Sequence, residues 1–203
     1  MADCRAGLGP YDRLTLYNRH QLAHLRGELG DAADAVAAYR ALLVDGRRLR
    51  RGQAEQLELH VRVQLAHWLG RSGDAAAAVA ELETLIEQQT PLLGPYHRRV
   101  LGIRHLLAHW RGESGDPAGA VAGLEALLAD WLRVQAPDSP DTMTTRQYLA
   151  QWRGRAGDPA RAIAELEELL ADQRRVLSAD HPDIITAEAD LDGLKARAAG
   201  GSA

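Results

Sequence analysis

The sequence predicts an all-α chain, a helical solenoid of four stacked helix pairs followed by one further helix. Three observations carry this. Gly-Asp recurs at Gly30-Asp31, Gly73-Asp74, Gly115-Asp116 and Gly157-Asp158, at intervals of 43, 42 and 42 residues, and self-similarity at such a period marks a helical-repeat architecture. Each Gly-Asp separates two helix-length stretches, called A and B here. Apolar columns also return at the repeat spacing: Leu22, Leu65, Leu107 and Leu149, each followed by alanine (Ala23, Ala66, Ala108, Ala150). A unit of this kind buries its apolar face only against its neighbours, so the chain reads as one array.

Residues 1–10 read as a flexible leader. Helix A of the first repeat is expected over 12–28 and its partner B over 32–45. The later pairs follow at 55–71 and 75–89, 98–113 and 117–134, then 140–155 and 159–177. A lone helix over 183–197 caps the array, and 198–203 reads as a disordered tail. In domain terms the solenoid covers 11–197, with repeats at about 11–53, 54–96, 97–138 and 139–180 and the cap at 181–197. The A-to-B break has a mechanism: glycine adopts the left-handed backbone that ends helix A, and aspartate caps the free amides of helix B. In Asp116-Pro117 and Asp158-Pro159 a proline takes the first helical position, where its missing N–H is harmless. Ser139-Pro140-Asp141 and His181-Pro182-Asp183 repeat that logic at the start of helix A. Helix B carries small Ala35, Ala78, Ala120 and Ala162, four residues before Tyr39, Leu82, Leu124 and Leu166. Small residues let helices approach and large ones fill the groove beside them.

Composition agrees with a folded chain: 46% of residues are hydrophobic and 26% charged, unlike a disordered sequence. A net charge of −4 gives no reason to invoke nucleic acid or a membrane surface. Cys4 is the one cysteine, so no intramolecular disulfide forms and a reducing, cytoplasmic setting is expected. No run approaches the roughly 18 apolar residues of a membrane span. Lys195 is the only lysine and alanine is abundant, a bias that suggests a GC-rich, bacterial genome.

A small residue, Gly-Asp, an alanine four residues on and a large apolar residue four later together resemble the tetratricopeptide repeat (TPR). The 42-residue interval, with linkers such as VLSADHPD and LLGPYH, is similar to the kinesin-light-chain-type variety. The resemblance covers about 11–197. It departs at the aromatic near the start of helix A, where this chain has Arg19, Arg62, Arg104 and Arg146. What it implies is a right-handed superhelix whose A helices line a concave, protein- or peptide-binding surface.

Two polar columns are candidates for that surface. The arginines Arg19, Arg62, Arg104 and Arg146 are followed two turns later by Arg26, Leu69, Arg111 and Arg153. The four A segments (12–28, 55–71, 97–113, 139–155) hold 12 arginines against 6 acids, and the B segments (31–45, 74–89, 116–134, 158–177) hold 5 against 15. One reading is a basic groove for an acidic peptide, since guanidinium forks bind carboxylates bidentately. The other has the arginines lay their stems over the core and pair with acids of adjacent B helices. The histidines His20, His24, His67, His105 and His109 form the second column, with Gln147 and Gln151 in the equivalent places of the fourth repeat. His20/His24 and His105/His109 have the i, i+4 spacing of a shared metal, yet no H-E-x-x-H pattern or second cysteine accompanies them. A polar column with no metal and no cofactor is the expectation.

Trp68, Trp110 and Trp152, with Leu25 in the same place, read as inter-repeat packing. Trp131 on a B helix reads as a rim or dimer contact. The run Arg47-Arg48-Leu49-Arg50-Arg51 suits the end of a helix dipole. Nucleic-acid binding would need a recognisable module, and none is present. No phosphate loop, nucleophile elbow or zinc-ligand cluster appears.

The expected function is therefore a non-enzymatic scaffold for a protein or an acidic peptide segment. The candidate contact residues are Arg19, His20, His24, Arg62, His67, Arg104, His105, His109, Arg146, Gln147 and Gln151. A regulatory module binding a small anionic ligand or signalling peptide is the alternative, and an enzyme using the histidines a lesser one. Self-association through the terminal repeats would make the protein a homo-oligomer.

Overall fold

The computed structural model describes residues 12–48 and 51–200. They form α1 (Arg13–Glu28), α2 (Ala32–Gly46), α3 (Arg51–Arg71), α4 (Ala75–Leu93), α5 (Arg98–Glu113), α6 (Pro117–Val134), α7 (Pro140–Arg155), α8 (Pro159–Val176) and α9 (Pro182–Gly200), with no strand among the described residues. None of these helices is long and apolar enough to cross a membrane. The chain divides into two compact units, one ending at Gln88 and the other beginning at Gln89. The 1–10 leader, Cys4, and Leu49 and Arg50 of the arginine run lie outside the described residues.

The hinge mechanism is visible at every repeat. Gly30, Gly73, Gly115 and Gly157 take φ values of 104°, 97°, 101° and 99°, a backbone that any side chain would strain. The following aspartate then caps helix B. Asp31, Asp74, Asp116 and Asp158 accept from the backbone N–H of Asp34, Ala77, Gly119 and Arg161 at 3.0, 3.0, 2.8 and 3.1 Å. The aspartate N–H also closes back on helix A, as from Asp158 to the carbonyl of Arg153 at 3.0 Å. Each Gly-Asp thus satisfies both the end of one helix and the start of the next.

In the first unit α1 packs on α2 and α2 on α3. In the second, α5, α6, α7, α8 and α9 pack in chain order. The predicted columns are the core. Ala35, Ala78, Ala120 and Ala162 are fully buried, as are Tyr39, Leu82, Leu124 and Leu166. One column position differs: Leu22 is 54% exposed, whereas Leu149 is 4% exposed. The reason is positional, since no described helix packs on that side of α1, which also leaves Leu25 open. Trp131 corrects the expectation of a rim contact, because it is 3% exposed and packs with Leu101, Leu127 and Trp152. Three boundaries differ as well. Helix α3 begins at Arg51, four residues before the expected start at 55, so the arginine run reaches the start of a helix as well as the end of one. Helix α4 runs past the expected end at 89 and through Pro91 to Leu93, where Gly94 (φ 89°) ends it. Helix α9 continues through Gly200, so residues 198–200, expected in a disordered tail, are helical.

A glycine notch repeats along the A helices. A Cβ on Gly27 would overlap the ring of Trp68, and one on Gly112 the ring of Trp152. Leu194 takes the tryptophan's place over Gly154. Trp68 and Trp152 are buried by this fit, at 0% and 2% exposure.

Candidate functional site

The arginine column lies between helices A and B of one repeat. Arg19 donates to Asp45 at 2.8 Å, Arg104 to Asp130 at 2.7 Å and Arg146 to Asp172 at 2.7 Å. Arg62 bonds Glu81 and donates to Gln88 at 2.7 Å. Helices A and B run antiparallel about the glycine hinge, so an arginine eleven residues before it meets the residue fifteen after it. These pairs are partly buried, with 21% exposure at Arg146 and 31% at Asp172. The hydrogen bond from Arg146 holds the Asp172 carboxyl below the ordinary carboxylate range. Arg153, two turns beyond Arg146, is 5% exposed and joins Glu125 of α6 to Glu165 of α8. Burial works against its charge, yet the two carboxylates outweigh it and its pKa is raised.

The histidine and glutamine column occupies a different face, the seam between successive A helices. His20 is buried in α1, with its Nε2 3.1 Å from Nε2 of His60 on α3 and its ring edge-on to Tyr39. Burial, then the neighbouring His60 and His24, push its pKa down to about 4. Both rings are therefore neutral at pH 7, one donating and the other accepting. His24 stands edge-on to Trp68 of α3, and His67 lies beside the same ring. In the second unit His105 packs edge-on to Tyr148 with ring centroids 4.5 Å apart, and His109 sits between Tyr148 and Trp152. Burial and then His109 push His105 to about 4, with Asp141 opposing; burial also lowers His109. At the α7–α9 seam, Gln147 and Gln151 each donate to Asp190 at 2.6 Å.

The two candidate columns are thus separate surfaces. Arg104 and His105 are neighbours in sequence, and one residue turns a helix by about 100°. What faces outward on the A helices of the second unit is another set. Arg98 and Arg99 of α5, Gly102, Thr144 and Arg155 of α7 are exposed, with Leu106 and Tyr148 half-buried. Arg98 binds Asp141 through two nitrogens at 3.1 and 3.3 Å. Arg155 reaches back to Glu113 at 2.6 Å and stacks on Trp152 at 4.0 Å.

Sequence reasoning did not single out His60, Tyr148, Asp190 or Arg155. The repeat register carries a signal for two of them. Tyr148 is equivalent to Leu106, and Asp190 stands one repeat after Tyr148, beside Gln147 and Gln151. Among the described residues no three histidine, cysteine, aspartate or glutamate side chains gather to hold a metal.

With this geometry in view, the chain's class is clear: it has the TPR-like helical-repeat solenoid fold. Within that class its likeness is to the kinesin-light-chain-type repeat. A Podosopora anserina protein, described as a putative kinesin light chain with nearly identical TPR-like repeats, is 24% identical. That match covers 92% of this chain and 86% of the other, with a TM-score of 0.72. A point variant of the same protein gives 23% identity, 92% and 87% coverage and a TM-score of 0.73. BtubC (BKLC) from P. vanneervenii gives 22% identity, 92% and 74% coverage and a TM-score of 0.74. Neither a protein-family model nor a curated protein sequence matches the chain.

Proposed function

We propose that this protein is a non-enzymatic scaffold that binds a protein or peptide segment on the outward face of its A helices. The fold supports the general reading, because TPR-like repeats commonly serve protein–protein interaction. The observation that carries the site is the surface of α5 and α7. Small Gly102 and Thr144 stand exposed there beside half-buried Leu106 and Tyr148, with Arg98, Arg99 and Arg155 at the margins. Small residues admit a backbone, the leucine and tyrosine supply apolar contact, and the arginines draw a carboxylate. A partner of acidic character follows from that chemistry, and the surrounding His105, His109, Gln147 and Gln151 hold the surface rigid. A cytoplasmic setting, where Cys4 stays reduced, belongs to the same reading.

The arginine column enters differently. Arg19, Arg62, Arg104 and Arg146 engage an acidic segment only by exchanging the tethered B-helix partners they already hold, and a tethered carboxylate is a strong competitor. The first contacts therefore fall to exposed Arg99 and to Arg98, whose pair with Asp141 leaves the arginine side chain 77% exposed and so only weakly held. In a fluorescence titration with acidic peptides, affinity should fall as ionic strength rises, because exposed charge attraction is screened. Arg98→Ala with Arg99→Ala should flatten that slope. Salt-independent binding, or binding indifferent to Arg98, Arg99 and Tyr148, would refute the site.

A further inference from the structure

A second cleft lies on the opposite side of the A helices, where α7 is walled by α6 and α8. It has a volume of 440 Å³, and Arg146, Leu149 and Arg153 form its floor. Helix α6 lays Glu125, Leu128 and Leu132 along one wall. Glu125 pairs with Arg153, and Leu149 is left only 4% exposed. The pattern on α6 is thus a carboxylate followed by leucines three and seven residues on, one face of a helix.

Counted from the hinge glycine, the same positions in the first repeat are Arg19, Leu22 and Arg26. They too line a cleft, of 280 Å³, completed by Ala23 of α1 and by Ala38 and Leu42 of α2. No wall corresponding to α6 is present among the described residues. Leu22 is 54% exposed, and Leu25 beside it 56%. Arg19 has Asp45, but Arg26 has no ion pair among the described residues. It lacks both carboxylates that satisfy Arg153: among the described residues no helix stands in the place of α6, and Ala38 stands where the fourth repeat has Glu165.

We propose that this edge of α1 and α2 docks an amphipathic helix of a partner protein that sets a glutamate or aspartate on Arg26 and two leucines over Leu22. Repeat four holds the template, with α6 as the occupant. A second copy of this chain is the poorer fit. Its B helices place Arg40, Glu83, Glu125 and Glu167 at the required position. Glu125 is held by Arg153, Glu167 by Lys195 at 2.8 Å, and Glu83 is engaged as well. The B helices of a second copy are thus already engaged or wrongly charged, and the occupant proposed is an acidic helix of a partner protein.

The test uses the full chain and a fluorescent synthetic peptide with the sequence of α6, stapled into a helix on the face away from Glu125. Saturable binding is expected, weakened at least about tenfold by Arg26→Glu, a loss that a single rim charge pair can account for. A peptide with arginine in place of Glu125 should recover affinity for the Arg26→Glu protein. Leu22→Glu should also abolish binding, with circular dichroism unchanged because the side chain is exposed. Arg98→Glu and Tyr148→Ala should leave this binding intact, which separates it from the acidic-segment site on α5 and α7. No saturable binding, or binding indifferent to Arg26 and Leu22, overturns the proposal. So does a dimer in sedimentation that Arg26→Glu dissociates, since the occupant would then be a second copy.

Discussion

Two glycines of α5 allow a sharp test of the packing. Gly102 and Gly112 lie in one helix, and alanine is favoured over glycine there by about 0.8–1.0 kcal/mol. A Cβ on Gly102 meets nothing within 4 Å. Gly102→Ala should therefore stabilise by about 1 kcal/mol, a rise in Tm of roughly 2–4 °C for a chain of this size. A Cβ on Gly112 overlaps three atoms of the Trp152 ring. That ring is 2% exposed and carries Arg155 stacked on it at 4.0 Å, so it has little room to yield. Overpacking of this kind costs about 1–3 kcal/mol, which cancels or exceeds the gain in helix propensity. Gly112→Ala should thus range from neutral to about 2 kcal/mol destabilising. Gly154→Ala should fall between the two, because it meets chiefly the end of the flexible Leu194 side chain. Urea midpoints at unchanged m measure all three. If Gly112→Ala proves as stable as Gly102→Ala, the notch does not position Trp152 and the account of the seam fails.

Three further outcomes are expected. Arg153→Ala leaves Glu125 and Glu165 with only the exposed Arg161 between them and should destabilise by about 2 kcal/mol, less than a fully buried pair because Glu125 is half exposed; removing both glutamates as well should restore much of that loss, and equal stability of the single and triple variants would contradict it. Asp190→Ala strips the acceptor from both Gln147 and Gln151 and should cost about 1–3 kcal/mol, read as faster hydrogen exchange in α9 than in α5. The third concerns acid. Because the folded pKa of His105 is about 4 and its ordinary value 6.5, the unfolded chain binds the proton first as pH falls. The stability contributed by the neutral ring is complete above pH 6.5 and is lost between 6.5 and 4, by at most about 3 kcal/mol. His105→Gln, the choice the fourth repeat makes, should flatten that slope, and an unchanged slope would place the acid sensitivity elsewhere.

Repeat length, hinge and core columns were legible because each is local chemistry. A left-handed glycine followed by a capping aspartate reports itself in two letters, and alanine four residues before a large apolar residue reports one helix face. The side on which a polar column falls was harder to read. Arg104 and His105 differ by one step in sequence and by a whole face in space. The partner was nevertheless written down: Asp45, Gln88, Asp130 and Asp172 recur at one fixed distance from the four arginines. The notch was missed for another reason. Gly27, Gly112 and Gly154 look like ordinary interruptions of a helix until the ring that fills each is known. Trp131 was misplaced because it has no counterpart in the other repeats, and periodicity is silent about a singular residue.

The fit of ring into notch gives the array a direction. At each seam described, the earlier helix supplies the hollow and the later one the knob: Gly27 under Trp68, Gly112 under Trp152, Gly154 under Leu194. Shortening the protein from its C-terminus uncovers a small, backbone-lined recess that water can wet. Shortening it from the N-terminus bares an indole. Fragments made from the two ends should therefore differ in solubility even when they contain equal numbers of helices, with those that keep their first repeat remaining dispersed.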